Sequence, residues 1–319
     1  MPRIDRPYVG IPSFLRSRIV EDLTKIDADI AVLGVPFDEG SPFMPGSRMA
    51  PRALREHSLR FGKQGFYDPE TKREYLVDEM TNGRIVDCGD VDIHPANAPR
   101  TFENITASVK AILASGAMPV VLGGDHSITY PIFRALSEPV HVLHFDAHTD
   151  YAPFENDLEL TNSHAFRHIA GMETALSLTQ IGIRSLRHSP DMVRSVEEDG
   201  NRVIPMGEFR DLGPAGIASL LPENSKVYVS IDVDALDMSL VPGCVSAEPN
   251  GMSYNELRDS LKAIAERHEV VAFDFVEVNP LLDVGTGVTA YIGALTVIEF
   301  IAHICDQPRW AARRRSRAA

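Results

Sequence analysis

The chain of 319 residues is 44% hydrophobic and carries 31 Lys and Arg against 45 Asp and Glu, a formal net charge of −14 with a sequence pI near 5.2. That apolar fraction is ample for a buried core, and the acidic balance argues against nucleic acid as the main partner. Cys88, Cys244 and Cys305 offer neither a disulfide framework nor a CxxC pair, the opening MPRIDRPYVGIPSFLRSR has no apolar core, and no run reads as long and apolar enough for a bilayer, so a reducing cytoplasm without membrane contact is expected.

After an extended amino-terminal segment over about residues 1–25, apolar runs of strand length alternate with segments patterned for helices. The strand candidates are 29–37, 84–93, 118–124, 141–147, 176–184, 201–206, 226–235 and 270–278. They are nearly continuous in Val, Ile and Leu, as strands buried on both faces of a parallel sheet should be. Helical patterning falls on 103–116, 253–268 and 288–304, and Ser253 three residues before Glu256 predicts a capping box on the second of these. No repeat, low-complexity stretch or linker breaks the alternation. Residues 1–319 therefore read as a single α/β domain, three layers α/β/α around a mainly parallel eight-stranded sheet. The basic tail, about 309–319, is expected to be a solvated, frayed end.

Three of the strand candidates close in clusters of potential metal ligands: His126 in GGDHS, Asp146, His148 and Asp150 in DAHTD, and Asp232 and Asp234 in SIDVDALD. Alternate residues of a strand share a face, so Asp146, His148 and Asp150 project together, as do Asp232 and Asp234. Two imidazoles and four carboxylates exceed what one four-coordinate zinc takes, but suit two divalent ions sharing carboxylates. Like-facing polar groups at the end of a buried strand are costly without a cation to pair with. By contrast, Asp125 reads as a turn former or helix cap, and the isolated His57, His188 and His303 as packing or surface residues.

GGDHS, DAHTD and SIDVDALD resemble, in this order, the three signature motifs of the ureohydrolases, the arginase and agmatinase family. The resemblance extends through GVPFDEGSPFMPGSRMAPRALR at 34–55, GDVDI at 89–93 and FDFVEVNPLLD at 273–283, and so covers nearly the whole chain. It implies an arginase-like fold, two Mn2+ ions per chain (or Ni2+ or another divalent ion), and hydrolysis of a guanidino group to urea and an amine. It also implies that His126, Asp146, Asp150 and Asp232 hold one metal and His148, Asp146, Asp232 and Asp234 the other. Glu277 resembles the family's guanidinium-binding glutamate, Asp150 is placed to relay a proton, and His164 corresponds to the proton-shuttling histidine. A homotrimer or homohexamer is expected on the same ground.

Two segments depart from the common pattern. SHAFRH at 163–168 stands where many agmatinase-like proteins have HGTPFR, and PGCVSAEPNG at 242–251 where PGTGTPEPGG is frequent. In the second, Ser246 retains a hydroxyl for the substrate, while Cys244 and Val245 alter the neighbouring wall. Glu155, Asp157 and Glu159 precede His164 with no basic residue among them, and an acidic entrance suits a small cationic guanidino substrate. Agmatine, cleaved to putrescine and urea, is thus the first expectation. The opening RIDRPYVGIPSFLR resembles guanidino-acid hydrolases instead, so guanidinobutyrase or another guanidino-acid or guanidine hydrolase is the alternative, with arginase behind it. Two other classes are a non-catalytic metal-binding partner subunit and a mononuclear zinc deacetylase. The intact bridging ligands and Glu277 speak against the first, and the complete second-metal set Asp146, His148, Asp232 and Asp234 against the second.

Overall fold

Aliphatic runs with no polar face belong between two layers rather than at a surface. In the computed structural model, which describes residues 6–312, they form the middle of the protein. In chain order the strands are β1 (Arg18–Ile19), β2 (Ile30–Gly34), β3 (Phe66–Asp68), β4 (Arg73–Tyr75), β5 (Ile85–Asp90), β6 (Met118–Leu122), β7 (Val140–Phe145), β8 (Ala175–Ile183), β9 (Arg202–Pro205), β10 (Lys226–Asp232) and β11 (Glu269–Val276). All eight expected strands are present. Strands β3 and β4 pair antiparallel as a separate hairpin, and the rest form one sheet in the order β1-β5-β2-β6-β11-β10-β7-β8-β9, parallel at every pairing.

Among the described residues the sheet thus has nine strands rather than eight. The extra one, β1, is two exposed residues, too short for any hydrophobic period to announce it. It is anchored by the preceding turn, where the buried Phe14 and Leu15 donate their backbone N–H groups to Asp87 Oδ2 at 2.7 Å and Ser58 Oγ at 2.9 Å. The amino-terminal segment is therefore docked from about residue 13 onward. At the other end, Trp310, expected to lie in the solvated tail, is buried against the core. Residues 313–319, the RRRSRAA of the tail, lie outside the described residues.

Side-chain alternation divides the core in two. Val227, Val229 and Ile231 of β10 face the helices Met206–Ala218, Tyr254–Arg267 and Val288–Cys305, while Tyr228 faces Ala98–Ala114 and Thr129–Phe133 on the other side. The predicted capping box is complete: Glu256 N donates to Ser253 Oγ at 3.2 Å and Ser253 N to Glu256 Oε2 at 2.7 Å. Helix Val288–Cys305 corrects one expectation. Its 18 residues, of mean hydropathy 1.7, are long and apolar enough to cross a membrane by length and composition, yet 61% of them are buried, with Val297, Phe300 and Ile301 in the core.

Strands β7 and β10 are neighbours, but the chain leaves them in opposite directions. From β7 it reaches β8 through Ala165–Ala170 in one layer, and from β10 it reaches β11 through Tyr254–Arg267 in the other. Diverging connections open a crevice at the carboxyl ends of the strands. The ligand clusters lie there.

Candidate metal and active site

Four adjacent strands, β6, β11, β10 and β7, deliver the six candidate ligands and Glu277. His126 follows β6 after Gly123 and Gly124, and the second glycine is required: a Cβ there would lie 1.7 Å from the Phe37 carbonyl oxygen. Asp125 caps the turn His126–Ile128, accepting from Ser127 N at 3.0 Å and Gly40 N at 2.7 Å, as its turn-forming reading expected. Asp150 and Glu277 occupy left-handed backbone conformations, with φ of 44° and 66°. Non-glycine residues seldom adopt this region, and they persist in it where the surroundings hold them at a site. Glu277 is held by its N–H on Gly124 O at 2.8 Å.

The side chains converge. His126 Nδ1 lies 3.0 Å from Asp146 Oδ2, 3.1 Å from Asp150 Oδ2 and 3.1 Å from Asp232 Oδ2. A single N–H serves one acceptor well, so three carboxylate oxygens on one nitrogen mark the place of a cation. A second such group forms around His148, whose Nδ1 lies 3.3 Å from Asp146 Oδ1 and 3.0 Å from Asp234 Oδ2. Asp146 belongs to both groups through different oxygens, which is what a bridging carboxylate requires. Asp232 links them too, accepting from Asp234 N through Oδ1 at 2.8 Å while its Oδ2 faces His126.

The electrostatics also call for cations. Burial, and then the Asp234 and Asp146 carboxylates, hold Asp232 well above the carboxylate range. Burial would raise Asp146 as well, but His144, His126 and His148 bring it well below that range. Burial opposes charge on the two ligand imidazoles, yet Asp146, Asp150 and Asp232 raise His126 well above its ordinary value, and Asp234 with Asp146 pushes His148 up to about 12. Divalent ions held by these carboxylates would relieve the same burial cost that otherwise favours protons on the two imidazoles. The donor set formed by His126 and His148 with Asp146, Asp150, Asp232 and Asp234 fits a pair of hard or borderline divalent ions.

Residues that the motif reading missed hold the ligands in place. His126 Nε2 donates to Ser230 Oγ at 2.9 Å, and Ser230 donates to Asp274 Oδ1 at 2.6 Å. Asp274 also accepts from Thr129 Oγ1 at 2.9 Å and from the Tyr228 hydroxyl. This relay keeps the His126 proton on Nε2 and presents Nδ1 to a metal. On the other side, Gln180 donates to His144 Nδ1 at 3.1 Å, so His144 Nε2 carries the proton given to Asp146 Oδ2 at 2.7 Å. Burial depresses His144 and keeps it neutral. The available signal was period two: His144 precedes Asp146, and Ser230 precedes Asp232, by two residues of one strand. Phe166 of SHAFRH stacks on His144 at 3.6 Å and meets His126 edge-on at 5.2 Å, so it packs against both imidazoles.

A cavity of about 240 Å³ opens onto these groups, with Asp150, Asp232, His148 and Glu277 in its wall. Glu277 Oε1 accepts from His126 N at 2.9 Å and Asn162 Nδ2 at 3.3 Å; burial, and then Asp125, push its carboxyl up to about 8. Ser246 and Val245 line the cavity, and Ser246 donates to Asp234 Oδ2 at 2.9 Å. Cys244 lies behind them, its thiol raised well above the ordinary range by burial, so it is a neutral packing group. Phe43 reaches the cavity from a loop clamped by Asp38, which accepts from Gly46 N at 2.7 Å and Arg48 N at 3.1 Å. His57 and His303 pack on Tyr291 and Tyr75, as expected, but His188 lines the cavity and accepts from Thr149 N at 3.1 Å.

His164 is placed differently from the other predicted residues. Its neighbours Asn162 and Ser163 line the cavity, whereas its own ring lies beside it, with Nε2 donating to Pro153 O at 3.2 Å and Nδ1 bonded to Thr161 Oγ1 at 2.7 Å. Glu155, Asp157 and Glu159 are exposed, and none belongs to the cavity wall.

Known proteins resemble this chain over nearly its whole length. The chain is 32% identical to a guanidinopropionase of Pseudomonas aeruginosa over 94% of this chain and 93% of that one. It is also 32% identical to a mitochondrial agmatinase of Gallus gallus, over 93% and 86%. The solved structure of proclavaminate amidino hydrolase from Streptomyces clavuligerus superposes with a TM-score of 0.83 at 28% identity, covering 94% of this chain and 99% of that one. A family model described as the arginase family matches residues 28–303, and with its parallel sheet and paired His and Asp groups the chain belongs to that family.

Proposed function

We propose that the protein hydrolyses a linear guanidino compound to urea and an amine, with two divalent ions, manganese first, as cofactor. The observation that carries this reading is the placement of Glu277, Asp150 and Asp232 in the wall of one cavity, so that a guanidinium gripped by Glu277 lies beside both ligand groups. Two bound ions supply a water of lowered pKa and a positive field for the developing charge. The chain's residues do the rest. His126, Asp146, Asp150 and Asp232 hold one ion, and His148, Asp146, Asp232 and Asp234 the other. Glu277 receives two N–H groups of the guanidinium in a fork and fixes the direction of its central carbon.

Addition of water to that carbon gives a tetrahedral adduct whose collapse breaks one C–N bond, and a proton of the added water must pass to the departing amine. Asp150, in the wall and 3.1 Å from His126, is placed to carry it. His164 serves as the second carrier once its ring turns from the Pro153 carbonyl. Ser246 contacts the substrate through the hydroxyl that also steadies Asp234.

Agmatine, the first expectation, drew its support from Glu155, Asp157 and Glu159. Their absence from the cavity wall moves the guanidino-acid alternative ahead. The relative named guanidinopropionase agrees with that order, and the one named agmatinase, at the same 32% identity, with the first expectation. A homotrimer or homohexamer, on the family resemblance, and a reducing cytoplasm, on the cysteine usage, complete the proposal. The test is urea release from agmatine, arginine, 4-guanidinobutyrate, 3-guanidinopropionate and guanidine, with manganese or nickel added. Release from at least one is expected, and none from any of them with both ions bound overturns the reading.

A further inference from the structure

The cavity wall contains one charged side chain that neither holds a metal nor grips a guanidinium. Arg187 follows β8 and lines the same cavity as Glu277. Its Nε donates to Glu248 Oε1 at 3.0 Å and its Nη2 to Ser246 O at 3.1 Å, while Nη1 has no partner among the described residues. Glu248 stands behind it, outside the cavity wall, and also accepts from Ser185 Oγ at 2.8 Å. The ion pair thus braces the guanidinium on its Nε edge and leaves the other edge to the cavity. Nη2 also reaches His148 Nε2 at 2.6 Å. An imidazole that gives its Nδ1 lone pair to a cation keeps a proton on Nε2, which releases that donor as well.

We infer that Arg187 receives the carboxylate at the far end of the substrate, so that the natural substrate is a linear guanidino carboxylic acid. This rests on the guanidino-hydrolase reading above. A guanidinium fork matches a carboxylate in two parallel hydrogen bonds. The same cation repels the terminal ammonium of an aminoalkylguanidine. The neutral neighbours Ser41, Asn162 and Ser163 offer no charge to hold an α-ammonium, so an α-amino group is not required.

The test compares substrates that share the guanidino group and differ in tail charge, using the full chain loaded with manganese. For the wild type, kcat/KM should be higher with 4-guanidinobutyrate or 3-guanidinopropionate than with agmatine. In Arg187→Ala the acid-to-agmatine ratio should fall about 10- to 100-fold, as expected for losing one partly exposed charge-assisted pair. Arg187→Glu should invert the preference. Arg187→Lys should recover part of it, since a lysine keeps the charge without the fork. Metal counting on each variant separates a lost tail contact from a lost ion. Calorimetric binding of 4-guanidinobutyrate to the wild type and Arg187→Ala gives a readout that needs no turnover. Wild-type preference for agmatine, or an acid-to-agmatine ratio unmoved by Arg187→Ala, overturns the assignment while leaving the hydrolase reading intact. Acid binding that depends on Arg187 without urea release from any compound supports the assignment and sinks the hydrolase reading.

Discussion

Replacing Ser230 by alanine removes the acceptor that holds the His126 ring. His126 Nε2 donates to Ser230 at 2.9 Å and Ser230 to Asp274 at 2.6 Å, which leaves Nδ1 as the lone-pair atom facing Asp146, Asp150 and Asp232. In Ser230→Ala a buried N–H has no acceptor, at a cost of about 1–3 kcal/mol, and the ring is free to place its proton on Nδ1, where it blocks coordination. Partners of ligating histidines are worth about 10- to 100-fold in metal affinity, or about 1.4–2.8 kcal/mol at roughly 1.4 kcal/mol per decade. The two routes agree. Asp274 keeps Thr129 and Tyr228 as donors, so the fold should survive. Competition for manganese against a fluorescent chelator, with bound metal counted, reads the outcome. The ion held by His126 should weaken by that factor while the ion at His148 stays near its native strength. A variant that holds both ions at native strength refutes the relay.

Asp232→Ala removes a carboxylate that joins the two ligand groups, so urea release should fall to background together with metal content. Retained activity at native occupancy would contradict the bridging role. Glu277→Gln keeps an acceptor for His126 N and Asn162 but loses the charge opposite the guanidinium. Its KM for any guanidino substrate should rise steeply with both ions still bound, and an unchanged KM refutes the grip. Protein stripped of metal should lose stability as pH rises. His148, raised to about 12, favours its protonated form in the fold, a benefit complete below about 6.5 and lost towards 12. Glu277, raised to about 8, acts in the same sense between its ordinary range and 8. The Tm of the chelated protein should therefore fall from pH 6.5 to 9 and that of the manganese-loaded protein should not, because ligand deprotonation favours the ions. A chelated protein whose Tm rises over that interval refutes the electrostatic account.

What the sequence made legible was what repeats along a strand or closes in a motif. The eight buried strands and the ligands at their ends followed from apolar runs ending in DxHxD and DVD spacings, and all of them converge in space. Period two would also have reached His144 and Ser230, had the polar residues inside the strands been weighed as partners of those at their ends. Arg187 and His188 could not be found this way. They stand in a loop after β8, and only the neighbourhood of β7, β8 and β10 in the sheet brings them to the cavity. The acidic loop before His164 illustrates the opposite error. Charges near His164 in sequence suggest an entrance, whereas in space they are exposed and outside the cavity wall. Strand β1 escaped notice because its two residues are fixed by the Asp87 contact made from Phe14, a long-range bond with no local pattern.

The central claim is that two metal-ligand groups and Glu277 act as one site on a guanidino group. The most direct measurement is urea release from a guanidino carboxylic acid during titration of the stripped protein with manganese, with bound ions counted at each step. The account predicts that release climbs until two ions are bound per chain. Release that saturates at one ion, or its absence with two ions bound, would contradict it.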